Sequence, residues 1–405
     1  MKKKVPITGE FKKALPVLHT LQEAGYEAYF VGGSVRDALL NKAVNDVDIA
    51  TSAFPEEIKH LFKKTVDVGI EHGTVMVLLE DDSYEVTTFR TESTYQDYRR
   101  PDSVTFVRSL KEDLKRRDLT INAFAMDDKG NIQDFFNGER DLDEQVVRAV
   151  GKAEERFHED ALRMMRAVRF ASQLGFHLEA DTFYAIVVNA HLLKHIAVER
   201  IRVEFEKMMT GSYLLQGMEA FIETGLFEYC PGLKGRKTDL RKFSLIPNQL
   251  THVRQGWALL LYFLKIHDEK EASQFLRKWR LSNQTILEST HLLTLLIHGL
   301  KEELTPYLIY TYSPELALET ENLMAIIGLE SQKTLVEEKI EALPILSKHD
   351  LAINGKQLMA YTEKKGGKWL GAAIKAAEKA VVEKETPNQK EAILNWLEDN
   401  HYIEK

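Results

Sequence analysis

Apolar and polar positions follow two regimes along this chain. Through about the first 150 residues, short strand-like runs alternate with short helical spacings; beyond that, repeats of three and four dominate to the end. YEAYFV (26–31) and DVDIAT (46–51) read as strands, with SVRDALL (34–40) as a helix between them. Phe11 to Ala24 has helical spacing and stops at Gly25, with Pro16 near its start or at a kink. PEEIKHLF (55–62) opens on a proline suited to the first helical position. GTVMVLL (73–79) and SYEVTTF (83–89) predict a hairpin across Asp81-Asp82-Ser83, and polar residues 91–108 predict a loop. After residue 150 the helices break at Gly175, Gly211, Gly225, Pro231-Gly232, Pro247 and Gly366-Gly367. WALLLYFL (257–264) is too short to span a bilayer and reads as a buried helix. The expected class is α+β: a mixed head followed by an all-helical remainder.

Composition narrows the partners. At 405 residues, 44% hydrophobic and 29% charged, the chain fits an ordinary soluble protein of several domains. A net charge of −8 excludes a uniformly basic nucleic-acid binder but leaves local strips, such as LKGRKTDLRKF (233–243) and KKGGKW (364–369). Cys230 is the single cysteine, so no intrachain disulfide forms, which fits a reducing cytosol. MKKKVPITGE lacks the apolar core of a signal peptide, and a cytoplasmic location is expected.

The chemistry concentrates in GGSVRDALLNKAVNDVD (32–48). Gly32 and Gly33 open a helix, where a bare backbone can approach phosphate and free N–H groups face an anion. Asp46 and Asp48 follow at a spacing that puts both on one side of a strand, able to share metal ions. Two-metal phosphoryl chemistry wants a third carboxylate from a neighbouring strand, and Glu85, mid-strand in SYEVTTF, is the candidate; a solvated outer face explains it equally well. Arg36, in the first helical turn, can reach a triphosphate there, or it pairs with Asp37. RRDLTINA (116–123) adds Arg117 and Asn122. His72, before a strand, reads as a turn residue, and the dipeptides His267-Asp268 and His349-Asp350 carry too little spacing information for a metal-dependent hydrolase.

HEDALRMMRAVRFASQLG (158–175) places Ala161, Met164, Met165 and Val168 on one helical side and Glu159, Arg163 and Arg166 on the other, with Asp160 and Arg169 at the borders. Asp160 and Arg163 are one turn apart, either as a solvated ion pair or as a reader of bases. Cytosine and adenine both present an amino donor beside an acceptor nitrogen; guanine and uracil reverse that order. A carboxylate next to a guanidinium therefore holds C or A and leaves unpaired polar groups with G or U.

Together GGSVRD, DVDIAT, RRDLTINA and EDALRMMRAVRF resemble the motif set of class II, bacterial-type CCA-adding enzymes (tRNA nucleotidyltransferases), in order over about residues 20 to 205. That resemblance implies a polymerase-beta-like nucleotidyltransferase head (1–150), a helical neck reading the base (151–210), and a body (211–310) and tail (311–405) binding tRNA. It implies C, C and A addition to tRNA 3′ ends from CTP and ATP with Mg²⁺; the alternative is a bacterial poly(A) polymerase. By motif, Gly32, Gly33, Arg36, Arg117, Asn122, Asp160, Arg163, Arg166 and Arg169 would bind nucleotide, Asp46 and Asp48 the metal, with Asp46, Asp48 and Glu85 catalytic. DFFNG (134–138) departs from the family's Asp-Pro-Phe-Gly-Gly but keeps a turn-forming pair. YQDYRRPDSVTFV (95–107) resembles the family's flexible loop for A addition, with Arg99 and Arg100 candidate couplers to the template helix. Expected partners are tRNA, CTP and ATP, without a membrane; a homodimer is left open.

Overall fold

Strand alternation in the head buries one face and leaves part of the other to the solvent. The computed structural model describes residues 3–69, 73–80, 82–92, 95–96, 100–101 and 104–404. His72, Asp81 and Arg99 fall outside them. The first elements are α1 (Glu10–Glu23), β1 (Ala28–Val31), α2 (Gly33–Leu39), β2 (Asp48–Thr51), α3 (Pro55–Leu61), β3 (Thr65–Gly69), β4 (Thr74–Leu78) and β5 (Ser83–Thr88). An arm follows, pairing β6 (Arg90–Glu92) with β9 (Val104–Phe106) and β7 (Tyr95–Gln96) with β8 (Arg100–Pro101). The head closes with α4 (Leu110–Lys115), β10 (Phe124–Met126), β11 (Ile132–Asp134) and α5 (Gly138–Asp143).

The main sheet has the order β11-β10-β1-β2-β5-β4-β3. β2 and β5 are parallel neighbours and the other pairings are antiparallel. Phe30, Ile49, Val86, Val75 and Val77 point to the same face and are fully buried, with Phe11 of α1 on Phe30 at 5.0 Å. Each such side chain contributes roughly 1.5–3 kcal/mol by leaving water. On the opposite face, Val31, Ala50 and Ala125 pack with Phe89 and with Leu110 and Leu114 of α4. That helix covers only one end of the face, and the end carrying Asp48 and Glu85 stays exposed.

Helices continue the same unit: α6 (Ala153–Glu159), α7 (Leu162–Leu174), α8 (Ala180–Asn189), α9 (Val198–Met209), α10 (Leu214–Glu223) and α11 (Lys237–Ser244). β12 (Val146–Val147) pairs with β13 (His177–Leu178). Contacts divide the chain into Met1–Ser244 and Leu245–Lys405. The second unit is helical; Val253–Phe263, buried from Gln255 to Leu261, packs on Asn283–Gly299, and that on Pro314–Ile326.

Four expectations are corrected. The segment expected to be one helix over 158–175 breaks at Asp160, which is extended (φ −137°) and accepts from Leu162 N at 3.0 Å, competing with the helical ladder. Pro16 lies inside α1 rather than near its start. Asp46 precedes β2, because the β1 ladder ends at Val31–Asp48 where the chain turns away at Gly32. The expected 91–108 loop contains the short strands of the arm. The aspartates of both His-Asp dipeptides accept backbone N–H groups: Asp268 caps the helix Glu269–Lys278, and Asp350 binds Leu346 N and Ser347 N.

Candidate active site

Asp48 begins β2 directly opposite Val31, so the chain leaves β1 at Gly32 beside that carboxylate. Gly32 has φ +74°, a region costly for side chains, and a Cβ there would lie 3.0 Å from Arg117 Nη1 and 3.9 Å from Asp48 Oδ2. Ile49 pairs with Val86, so the preceding residues, Asp48 and Glu85, sit side by side on the exposed face of central strands. Asp46, Asp48 and Glu85 line one cleft of about 870 Å³, while Val47 between the two aspartates is buried. Burial pushes the Asp48 carboxyl up, Arg117 pulls it down, and Asp46 adds to the rise. Among the described residues, no ion pair engages Asp46, Asp48 or Glu85.

The nucleotide candidates form a second layer. Arg36 donates to both oxygens of Asp37 (2.9 and 3.0 Å) and through Nη1 to Asn122 Oδ1 (2.5 Å). Asn122 donates to Asp118 (3.3 Å), whose other oxygen accepts from Arg166 Nε at 2.6 Å. Arg166 lies 3.9 Å from Glu204, which pairs with Arg169 Nε at 2.6 Å. Arg36, Arg166 and Arg169 all approach the ring of Phe170, at 4.8, 5.8 and 3.8 Å from its centroid. Burial would raise the Asp118 carboxyl, but Arg166, Arg163 and Asn122 hold it well below the usual carboxylate range. Burial pulls Arg169 down to about 10, against the opposing pull of Glu204. Three carboxylates thus balance three guanidiniums, fixing the rotamers of residues from α2, from the turn after α4 and from α7 and α9. Arg117 is pulled down by burial; it donates to Asn122 O (3.3 Å) and lies 3.6 Å from Asp113.

Asp160 and Arg163 are not paired with each other. Asp160 accepts from both terminal nitrogens of Arg200 (3.3 and 2.6 Å), and Arg163 donates to Glu159 (2.6 Å) and to Arg116 O (2.9 Å). Sequence reading passed over Arg200, Glu204, Asp113, Phe170 and the role of Asp118. Only Arg200 and Glu204 offered a signal, two opposite charges one turn apart on an otherwise amphipathic helix.

The chain is similar to known proteins over nearly its whole length. Residues 28–148 match the Poly A polymerase head domain family, 175–235 the family described as a probable RNA and SrmB-binding site of polymerase A, and 248–397 the putative tRNA nucleotidyltransferase domain 2. A CCA-adding enzyme of Enterococcus faecalis is 52% identical over 391 residues, covering 96% of each chain. That of Geobacillus kaustophilus is 47% identical over 401 residues, 98% of each. The Bacillus stearothermophilus CCA-adding enzyme crystallised with CTP superposes with a TM-score of 0.89 at 43% identity, covering 97% of this chain and 98% of that one. With near full-length identity of this order and the same architecture, the chain belongs to the family of CCA-adding enzymes.

Proposed function

We propose that this nucleotidyltransferase adds C, C and A to the 3′ end of tRNA from CTP and ATP, acting in the cytoplasm. The tRNA 3′-oxygen forms the new bond to the α-phosphorus, and pyrophosphate leaves. The observation carrying this reading is the meeting of Asp48 and Glu85 on adjacent strands, beside the Gly32 turn and an arginine ring shared by head and neck.

Asp46, Asp48 and Glu85 form an all-oxygen donor set that suits a hard divalent cation such as Mg²⁺. Among the described residues no three acidic, histidine or cysteine side chains are already drawn into coordination distance. That fits an ion held by one or two carboxylates and completed by substrate phosphates and water. When bound, such ions activate the attacking hydroxyl and offset charge on the triphosphate. Gly32 and Gly33 let the triphosphate approach backbone N–H groups, and Arg36, Arg117, Arg166 and Arg169 donate to its oxygens and to the sugar. Asn122 holds Arg36 and Asp118 together, so its part is to orient donors. Asp160 accepts from the exocyclic amino group of C or A while Arg163 donates to the adjacent ring nitrogen. Arg200 and Glu159 hold that reading pair in place. Head, neck, body and tail are assigned to 1–150, 151–210, 211–310 and 311–405.

The relatives at 47–52% identity carry the CCA-adding name over nearly their whole length, so poly(A) synthesis is not favoured. The test is incorporation by purified protein on tRNA lacking its 3′ end, with CTP and ATP supplied singly and together. Two C additions from CTP and one A that requires them are expected. ATP polymerisation regardless of primer would overturn the reading.

A further inference from the structure

The sheet face holding Asp48 and Glu85 continues past them into a second, smaller cleft of about 180 Å³. Its lining includes Thr74 and Thr87 beside Glu85, with Arg90, Arg116 and Arg117 around them and the Asp113 carboxylate paired with the last two. Thr74 and Thr87 face each other across β4 and β5, and their hydroxyls are bonded at 3.1 Å. Whichever hydroxyl donates in that bond, the other keeps its proton, and both keep lone pairs. The pair therefore offers one donor and several acceptors at a single spot, two residues along the strand from Glu85.

Which ligand this fits follows from the direction of attack. The Gly32 turn lies on the β1 side of Asp48, whereas Thr74 and Thr87 lie on the β5–β4 side. A displacement at phosphorus brings the nucleophile in opposite the leaving group. With the triphosphate over the glycines, the RNA end arrives over β5 and β4. The cleft has room for a ribose but not for a whole nucleotide. A neutral hydroxyl is better tolerated next to the Glu85 carboxylate than another anion. A ribose 2′-hydroxyl, which both donates and accepts, matches the threonine pair and is what separates RNA from DNA.

We propose that the Thr74–Thr87 hydroxyl pair holds the terminal ribose of the acceptor RNA and reads its 2′-hydroxyl, making the enzyme selective for an RNA end. The proposal rests on the nucleotidyl-transfer reading above. The test uses the full-length protein and tRNA ending in the first added C, with either ribose or 2′-deoxyribose at that terminal residue; both carry the attacking 3′-hydroxyl. For the unaltered protein, kcat/KM for the deoxy-ended tRNA should fall about tenfold, the scale of one neutral hydrogen bond. In Thr87→Val that penalty should shrink to less than about twofold, with KM for CTP unchanged and the ribose-ended substrate slowed to the deoxy level. Thr87→Ser, which keeps the hydroxyl, should retain the penalty; Thr74→Val serves as the second probe if Thr87→Val fails to fold.

A full penalty persisting in both valine variants overturns the proposal, as does the absence of any penalty in the unaltered protein. A rise in KM for CTP or in resistance to pyrophosphate inhibition, with the 2′ penalty intact, also overturns it and assigns the pair to the triphosphate. Failure of the transferase reading itself looks different: no addition to ribose-ended tRNA by the unaltered protein.

Discussion

Replacing Asp118 with asparagine isolates the contact that ties the turn after α4 to helix α7. Asp118 Oδ2 accepts from Arg166 Nε at 2.6 Å, while Oδ1 accepts from Leu119 N (2.9 Å) and Asn122 (3.3 Å). An asparagine amide has one accepting oxygen, so its NH₂ group must face donors on one side or the other. Breaking a buried ion pair from one side costs about 3–5 kcal/mol. Arg166 is 34% exposed and has Glu204 at 3.9 Å in reserve, which discounts the loss to about 2–3 kcal/mol. For a unit the size of Met1–Ser244, that lowers its Tm by roughly 4–12 °C at neutral pH. The pH dependence gives an independent check. The Asp118 carboxyl is depressed in the folded state, so its stabilisation is complete above the unfolded value near 3.8 and fades as pH falls below it. The gap between parent and Asp118→Asn should therefore be constant from about pH 5 upward and narrow below about pH 4. Calorimetry across pH 3–8 measures both. A Tm change under 2 °C, or a gap that stays constant to pH 3, refutes the assignment of this pair.

Three further outcomes follow from the site. Gly32→Ala puts a Cβ 3.0 Å from Arg117 Nη1 at positive φ, so CTP and ATP use should fall together, by about five- to thirtyfold at roughly 1–2 kcal/mol of strain; unequal effects in steady-state kinetics would count against a shared triphosphate berth. Asp48→Ala should abolish addition while filter binding of tRNA stays within about twofold, since the cleft that Asp48 lines takes only the last ribose of the RNA; retained activity removes the metal assignment. Arg200→Met should release Asp160, held at 2.6 Å, and blur rejection of UTP and GTP by about tenfold or more, on the scale of a charge-assisted hydrogen bond; competition assays with all four nucleotides read this, and unchanged selectivity overturns it.

Local signals carried far in this chain. The glycine pair, the Asp-x-Asp spacing, the strand–helix alternation of the head and the helical remainder were all legible, because each depends on neighbours within one or two turns. Tertiary structure decided the rest. Glu85 becomes a companion of Asp48 only through the parallel β2–β5 register, since in isolation it is indistinguishable from a solvated strand residue. Asp160 and Arg163 are one turn apart in sequence yet bind other partners: Asp160 reaches across 40 residues to Arg200. Asp118 reaches across 48 residues to Arg166. Periodicity encodes which face leaves water; it does not encode which buried charge meets which. That choice depends on desolvation, and a buried carboxylate is tolerable only where folding delivers a guanidinium to it.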